Sequence, residues 1–124
     1  MKITPVLIVD AIEPCLPFWV DRLGFAMTVT VPHADAIGFA ILEKDGVELM
    51  YQTRASVAED APATLDARPG HSVGLFIEVP NLDDIEHALD GVPRILPRRT
   101  TFYGMHEVGV REPGGTAVIF AQRA

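Results

Sequence analysis

Val6-Leu7-Ile8-Val9, two small or polar residues, then Ile12-Glu13: seventy positions later the chain repeats the pattern as Phe76-Ile77-Glu78-Val79, Pro80-Asn81, Leu82-Asp83. Each copy is an apolar strand running into a helix start, and each is followed by further strand-like runs. Both close on a turn before a short apolar strand, Asp45-Gly46 before Val47–Gln52 and Pro113-Gly114-Gly115 before Ala117–Ala121. A fixed internal period sets the architecture before any motif does, because one repeat cannot bury its own apolar face.

Working outward, the near-continuous apolar run Ile3–Val9 reads as a buried strand. Ile12, Cys15, Leu16, Trp19 and Leu23 recur at helical spacing, so an amphipathic helix is expected over Ile12–Leu23, stopped by Gly24. Pro14 suits a first turn, whereas Pro17 sits deeper and must remove a helical hydrogen bond. Ala26–Val31 and Ile37–Lys44 read as strands, and Asp45-Gly46 as a hairpin turn into Val47–Gln52. Residues 53–70 show no clean period and read as a loop or linker with room for one helical turn. The second copy opens with a strand over Ser72–Val79. Asn81 then caps a helix whose buried stripe is Leu82, Ile85, Ala88 and Leu89, ended by Gly91. Strands follow at Arg94–Thr100, His106–Arg111 and Ala117–Ala121. The expectation is an α+β single domain. It has two βαβββ modules, 1–52 and 71–124, around a linker at 53–70, with helices on one face of a curved mixed sheet and a cup on the other.

The 124 residues suffice for a hydrophobic core, and 48% apolar with 22% charged residues is ordinary for a soluble globular chain. A net charge of −7 argues against nucleic-acid binding, which needs a basic face, and suits either solubility or the attraction of cationic small molecules. No run is long enough to span a membrane, and Met1-Lys2-Ile3-Thr4 leads straight into a strand without a signal-peptide pattern. The single Cys15 cannot form an internal disulfide, so a reducing, cytoplasmic setting is expected.

The order and spacing of these elements resemble the vicinal oxygen chelate superfamily, which holds glyoxalases, ring-cleaving dioxygenases and bleomycin resistance proteins. The likeness spans the whole chain. It rests on the paired modules, on Phe18-Trp19-Val20-Asp21-Arg22-Leu23-Gly24-Phe25, and on Val110-Arg111-Glu112-Pro113-Gly114-Gly115. Thr4-Pro5-Val6-Leu7 and Tyr103-Gly104 bring it nearest to the bleomycin resistance proteins. That resemblance implies a homodimer that sequesters a small ligand, such as a glycopeptide antibiotic, in a sheltered cup. The chain departs from those proteins in holding one tryptophan, Trp19, on the core side of its helix.

Metal-dependent members of the superfamily place His, Glu, His and Glu on the first and last strands of the modules. The matching positions here read as Thr4, Glu48, Gly74 and Ile119, leaving one ligand of four. A lone carboxylate does not hold a catalytic metal, so neither metal nor cofactor is expected. Strand alternation sends Val47, Leu49 and Tyr51 to the helix layer and Glu48, Met50 and Gln52 into the cup, with Thr4, Val6, Ile8, Gly74, Phe76, Glu78, Ala117 and Ile119. The candidate ligand-binding residues are Thr4, Glu48, Met50, Gly74, Phe76, Tyr103, His106 and Ile119. Glu48 has two readings, a carboxylate facing the cup that pairs with a cationic or hydrogen-bond-donating ligand group or acts as a general base, or an edge residue satisfied by Thr4 or a nearby arginine. His106 reads as lining the cup mouth or as a surface strand residue. His71 falls at the linker's end, and His33 and His87 read as solvent-facing. Arg94, Arg98 and Arg99 read as a solvated edge strand. The competing expectation is a metal-dependent lyase, isomerase or dioxygenase using Glu48 with His71 or His106.

Overall fold

The computed structural model describes residues 2–65 and 73–124. The chain divides into two compact units, Met1–His71 and Ser72–Ala124.

The first unit holds β1 (Val6–Val9), β2 (Ala26–His33), β3 (Ala36–Lys44), β4 (Val47–Thr53) and helix α1 (Arg54–Asp60). Its sheet has the order β1-β4-β3-β2. β1 and β4 run parallel, with Val6 opposite Met50 and Ile8 opposite Gln52; the other pairs are antiparallel. From Glu48 onward burial along β4 alternates, so Leu49 and Tyr51 enter the core with Leu7, Val9, Ala40 and Leu42, while Glu48, Met50 and Gln52 share the other face; Val47, expected in the helix layer, is exposed at the strand's start.

The connection between β1 and β2 differs from the regular helix expected. A 3-10 turn (Glu13–Cys15) leads into a π-helical segment (Pro17–Arg22). The two prolines explain this, since each lacks the N–H that an α-helical ladder needs. The apolar stripe still does its work: Ile12, Cys15, Phe18, Trp19 and Leu23 are all buried. Trp19 Nε1 donates to the Tyr51 hydroxyl at 2.8 Å, and both residues are fully buried. Phe18 and Phe25 meet the Trp19 ring edge-on with centroids 5.0 and 5.1 Å away.

The described part of the linker, residues 53–65, is more ordered than its composition implies. Thr53 caps α1 by accepting from the Ser56 N–H at 3.1 Å, and a further 3-10 turn spans Pro62–Leu65. Val57 anchors α1 in the core. His33 is correspondingly half-buried rather than solvent-facing, because α1 places Glu59 2.7 Å from its Nε2.

The second unit repeats the plan with β5 (Leu75–Glu78), α2 (Leu82–Ala88), β6 (Arg94–Thr100), β7 (Met105–Arg111) and β8 (Ala117–Arg123). The order β5-β8-β7-β6 is equivalent to that of the first sheet. Asn81 caps α2 by accepting from the Asp84 N–H at 3.1 Å. Leu82 and Leu89 are buried, as are Val108, Val110, Val118 and Phe120 from the helix-side face of the sheet. Gln122 joins sheet and helix by accepting from the Leu82 N–H at 2.6 Å.

The arginines of β6 are not merely solvated. Arg94 donates to the carbonyls of Leu89 and Val92, closing the C-terminal end of α2. Arg98 binds Asp83 at 2.5 Å and Glu86 at 2.7 Å on α2, and these carboxylates raise its pKa. The turn after β7 is built around Glu112, a buried carboxylate that accepts from the Gly114 and Thr116 N–H groups at 2.7 and 2.6 Å. Among the described residues, no helix is long and apolar enough to cross a membrane.

Candidate functional site

Each sheet has one face packed by helices and one open face. In the first unit the open face carries Val6 and Ile8 from β1, Glu48, Met50 and Gln52 from β4, and Phe39, Ile41 and Glu43 from β3. Val29 and Val31 extend it onto β2 opposite Ile41 and Phe39, and both remain exposed. Most of the surface is apolar, and its charge is concentrated at one end. Glu43 lies directly opposite Glu48, an unfavourable pairing of like charges that a cation relieves. Lys2 supplies one by donating to Glu48. The Glu48 side chain is 18% exposed and that of Lys2 66%. The internal partner of Glu48 is therefore a lysine, not Thr4 or an arginine. Thr4 lies two residues before Val6, which places it alongside Glu48 by the parallel register of β1 and β4.

In the second unit the open face carries Phe76 opposite Ile119, then Gly109 and Leu96 in one row across four strands. A Cβ on Gly109 would lie 2.7 Å from Ile119 Cδ1 and 2.8 Å from Leu96 Cβ, so the glycine lets its neighbours close over the strand. One step along, Glu78, Ala121, Glu107 and Arg99 form the next row. Glu107 is 1% exposed. Its Oε1 accepts from Arg99 Nε and Nη2 at 3.1 and 2.9 Å, and its Oε2 accepts from the Tyr103 hydroxyl at 2.6 Å. That bond, more than the phenol's own desolvation, holds Tyr103 above its ordinary pKa, and Glu107 likewise raises Arg99. A cleft of about 400 Å³ at the ends of β5 and β8 adjoins this row, lined by Glu78, Val79, Pro80, Ala121, Gln122 and Arg123. Its size falls in the usual range for small-molecule sites, roughly 300–1,000 Å³.

The candidate residues from the sequence thus divide. Thr4, Glu48 and Met50 come together on the first open face, and Gly74, Phe76 and Ile119 on the second. Tyr103 reaches the second face through Glu107. His106 does not. It shares its side of β7 with Val108 and Val110 and lies opposite Gln122, on the helix side, with Nδ1 2.9 Å from Thr100 Oγ1. His71 lies outside the described residues. His87 is exposed on the last turn of α2.

The register also corrects one equivalence. Phe76 pairs Ile119 as Val6 pairs Met50, so Ile119 is the counterpart of Met50, and Ala117 is the counterpart of Glu48. The second module is one residue shorter between its first and last strands, which the sequence repeat alone concealed. The four positions that the resemblance assigns to metal ligands are therefore Thr4, Glu48, Gly74 and Ala117. Gly74 and Ala117 offer no side-chain donor, and these residues do not fit a His, Glu, His, Glu set. Among the described residues, no group of three or more His, Cys, Asp or Glu side chains is placed to hold a metal ion.

Glu107 and Arg99 are site residues that the sequence reading missed. Period-two alternation puts Glu107 on the face opposite His106, but its pairing with Arg99 crosses register shifts between β6 and β7.

No protein-family model matches the chain, and no curated protein matches it. Solved structures do. TioX from Micromonospora sp. ML1 is 18% identical with a TM-score of 0.78, covering 100% of this chain and 99% of its own. A glyoxalase/bleomycin resistance protein/dioxygenase family enzyme from Burkholderia phytofirmans PsJN is 12% identical with a TM-score of 0.78, covering 98% and 97%. Lactoylglutathione lyase from Agrobacterium tumefaciens is 16% identical with a TM-score of 0.74, covering 98% and 92%. The duplicated strand order and these full-length likenesses agree: the chain has the glyoxalase/bleomycin resistance protein fold.

Proposed function

We propose that the chain is a metal-independent small-molecule binding protein that acts as a cytoplasmic homodimer and sequesters a cationic or aromatic compound, such as a glycopeptide antibiotic. The observation that carries this reading is the open face of the first sheet. An apolar floor of Val6, Ile8, Phe39, Ile41 and Met50 ends at two opposed carboxylates, Glu43 and Glu48.

An organic ligand would lie on this floor through area burial, while its cationic group would take the place of Lys2 at Glu48. Because the Lys2 side chain is largely exposed, its release into water is inexpensive, and the half-buried Glu48 gains a partner that is less hydrated than lysine. The ligand positions support binding without a metal, since two of the four carry no donor atom. The single cysteine, Cys15, is buried in the core, which suits a reducing compartment.

Calorimetric titration with bleomycin, and with a panel of cationic aromatic compounds, tests the reading. Saturable binding that weakens about ten-fold or more in Glu48→Gln supports it, as expected for losing one charge-assisted contact. Absence of binding to every compound, or binding indifferent to Glu48→Gln, overturns it.

A further inference from the structure

The second sheet carries a polar arrangement that the Glu48 reading leaves unused. We infer that Arg99, Phe102 and Tyr103, held by the buried Glu107, form a site on the second unit for a small aromatic carboxylate.

The turn between β6 and β7 is fixed from several directions. The Thr101 N–H donates to the Met105 carbonyl at 2.8 Å, and the Met105 N–H donates to Thr101 Oγ1 at 3.1 Å. Gly104 sits at φ 83°, donates to the Thr101 carbonyl at 3.1 Å, and accepts from the Ala124 N–H at 2.9 Å. The Tyr103 hydroxyl ties the turn down to Glu107. Yet this rigid turn presents Phe102 fully to solvent, at 102% of its reference exposure, with the Tyr103 ring edge-on at 5.2 Å. A turn so constrained has little left to lose in conformational entropy on binding, and a bare aromatic ring gains most from being covered.

Arg99 supplies the charge. Its bonds to Glu107 use Nε and Nη2, so the Nη1 end of the fork lies outside the Glu107 pairing. The Arg99 side chain is 51% exposed, whereas Glu107 is buried beneath it. A guanidinium pinned along one edge offers the other edge in a fixed plane, the geometry that suits a carboxylate. The neighbouring cleft, reached through Ala121 (the register partner of Glu107), carries a second guanidinium on Arg123. A ligand with a carboxylate on Arg99 and its ring against Phe102 and Tyr103 uses all of these features, whereas a cationic ligand would meet the like charge of Arg99.

The test is a titration of 2-naphthoate, followed by its fluorescence, beside the neutral 2-naphthamide. We expect saturable naphthoate binding, at least about ten-fold tighter than the amide, as a charge-assisted fork contact requires. Arg99→Lys, which keeps the charge but loses the fork, should weaken it about ten-fold. Phe102→Ala, at a side chain the fold does not use, should weaken both compounds at least about three-fold by removing ring contact. Glu48→Gln should leave naphthoate unaffected, so this site and the proposed function fail separately. Circular dichroism confirms that each variant is folded. Absence of saturable naphthoate binding, equal affinity for the amide, indifference to Arg99→Lys or to Phe102→Ala, or weakening by Glu48→Gln would each overturn the inference.

Discussion

Replacing Gly109 with alanine probes the open face of the second sheet at its tightest point. The added methyl would sit 2.7 Å from Ile119 Cδ1 and 2.8 Å from Leu96 Cβ, both well inside van der Waals contact. The two clashes differ in kind. Ile119 Cδ1 is the end of a flexible side chain and can turn away, but Leu96 Cβ moves only with the backbone of β6. Overpacking of this sort costs about 1–3 kcal/mol. The opposing effect is a loss of unfolded-chain entropy, which favours alanine over glycine by about 0.4–1 kcal/mol where the backbone permits it. The clash with Leu96 wins, and Gly109→Ala should destabilise the protein by roughly 1–2 kcal/mol net. Urea denaturation should show a lower midpoint at unchanged slope. Adding Ile119→Val removes the Cδ1 contact only, so it should recover part of the loss and not all. A stabilised Gly109→Ala variant, or full recovery with Ile119→Val, would refute the reasoning about Leu96.

Other outcomes follow from the same geometry. Tyr51→Phe strips the buried Trp19 Nε1 of its hydroxyl acceptor at 2.8 Å and should cost about 1–3 kcal/mol, with a double-mutant cycle against Trp19→Phe showing that most of the loss is shared. Tyr103 has its pKa raised in the folded protein by donating to Glu107. The stability it contributes is therefore complete below the unfolded value, about 10, and is lost as pH rises from there through the folded value. Thermal unfolding between neutral pH and pH 11 should show an alkaline decline that is smaller in Tyr103→Phe; an identical decline would contradict the assignment. Thr53→Ala and Asn81→Ala each remove an N-cap acceptor at 3.1 Å and should cost about 0.5–2 kcal/mol apiece in urea denaturation, independently because they cap different helices.

Much of this fold is legible in the sequence because period-two burial leaves a plain trace. Leu49 and Tyr51 against Glu48, Met50 and Gln52 name both faces of β4 without coordinates. The regular helix expected over Ile12–Leu23 fails for a local reason, since Pro14 and Pro17 remove donors while the apolar stripe keeps its burial. Helix α1 was hidden because its seven residues carry only Val57 as a buried anchor, too few to show a period. The equivalence of Ile119 with Glu48 fails because one deleted residue shifts the pairing by a step that the repeat cannot reveal. His106 and Glu107 show the limit most clearly. Adjacent residues face opposite sides of β7, and which side is open depends on long-range pairing with Gln122 and Ala121. The Arg99 partnership depends in turn on the irregular β6–β7 register.

The central claim, binding without a metal and without breaking a bond, is tested most directly by native mass spectrometry of freshly purified, untagged protein before and after addition of bleomycin. The account predicts a metal-free dimer mass that gains the full mass of intact bleomycin and returns it unchanged on dissociation. A stoichiometric divalent metal on the purified protein, lost in Glu48→Gln, or a ligand released with altered mass, would contradict it.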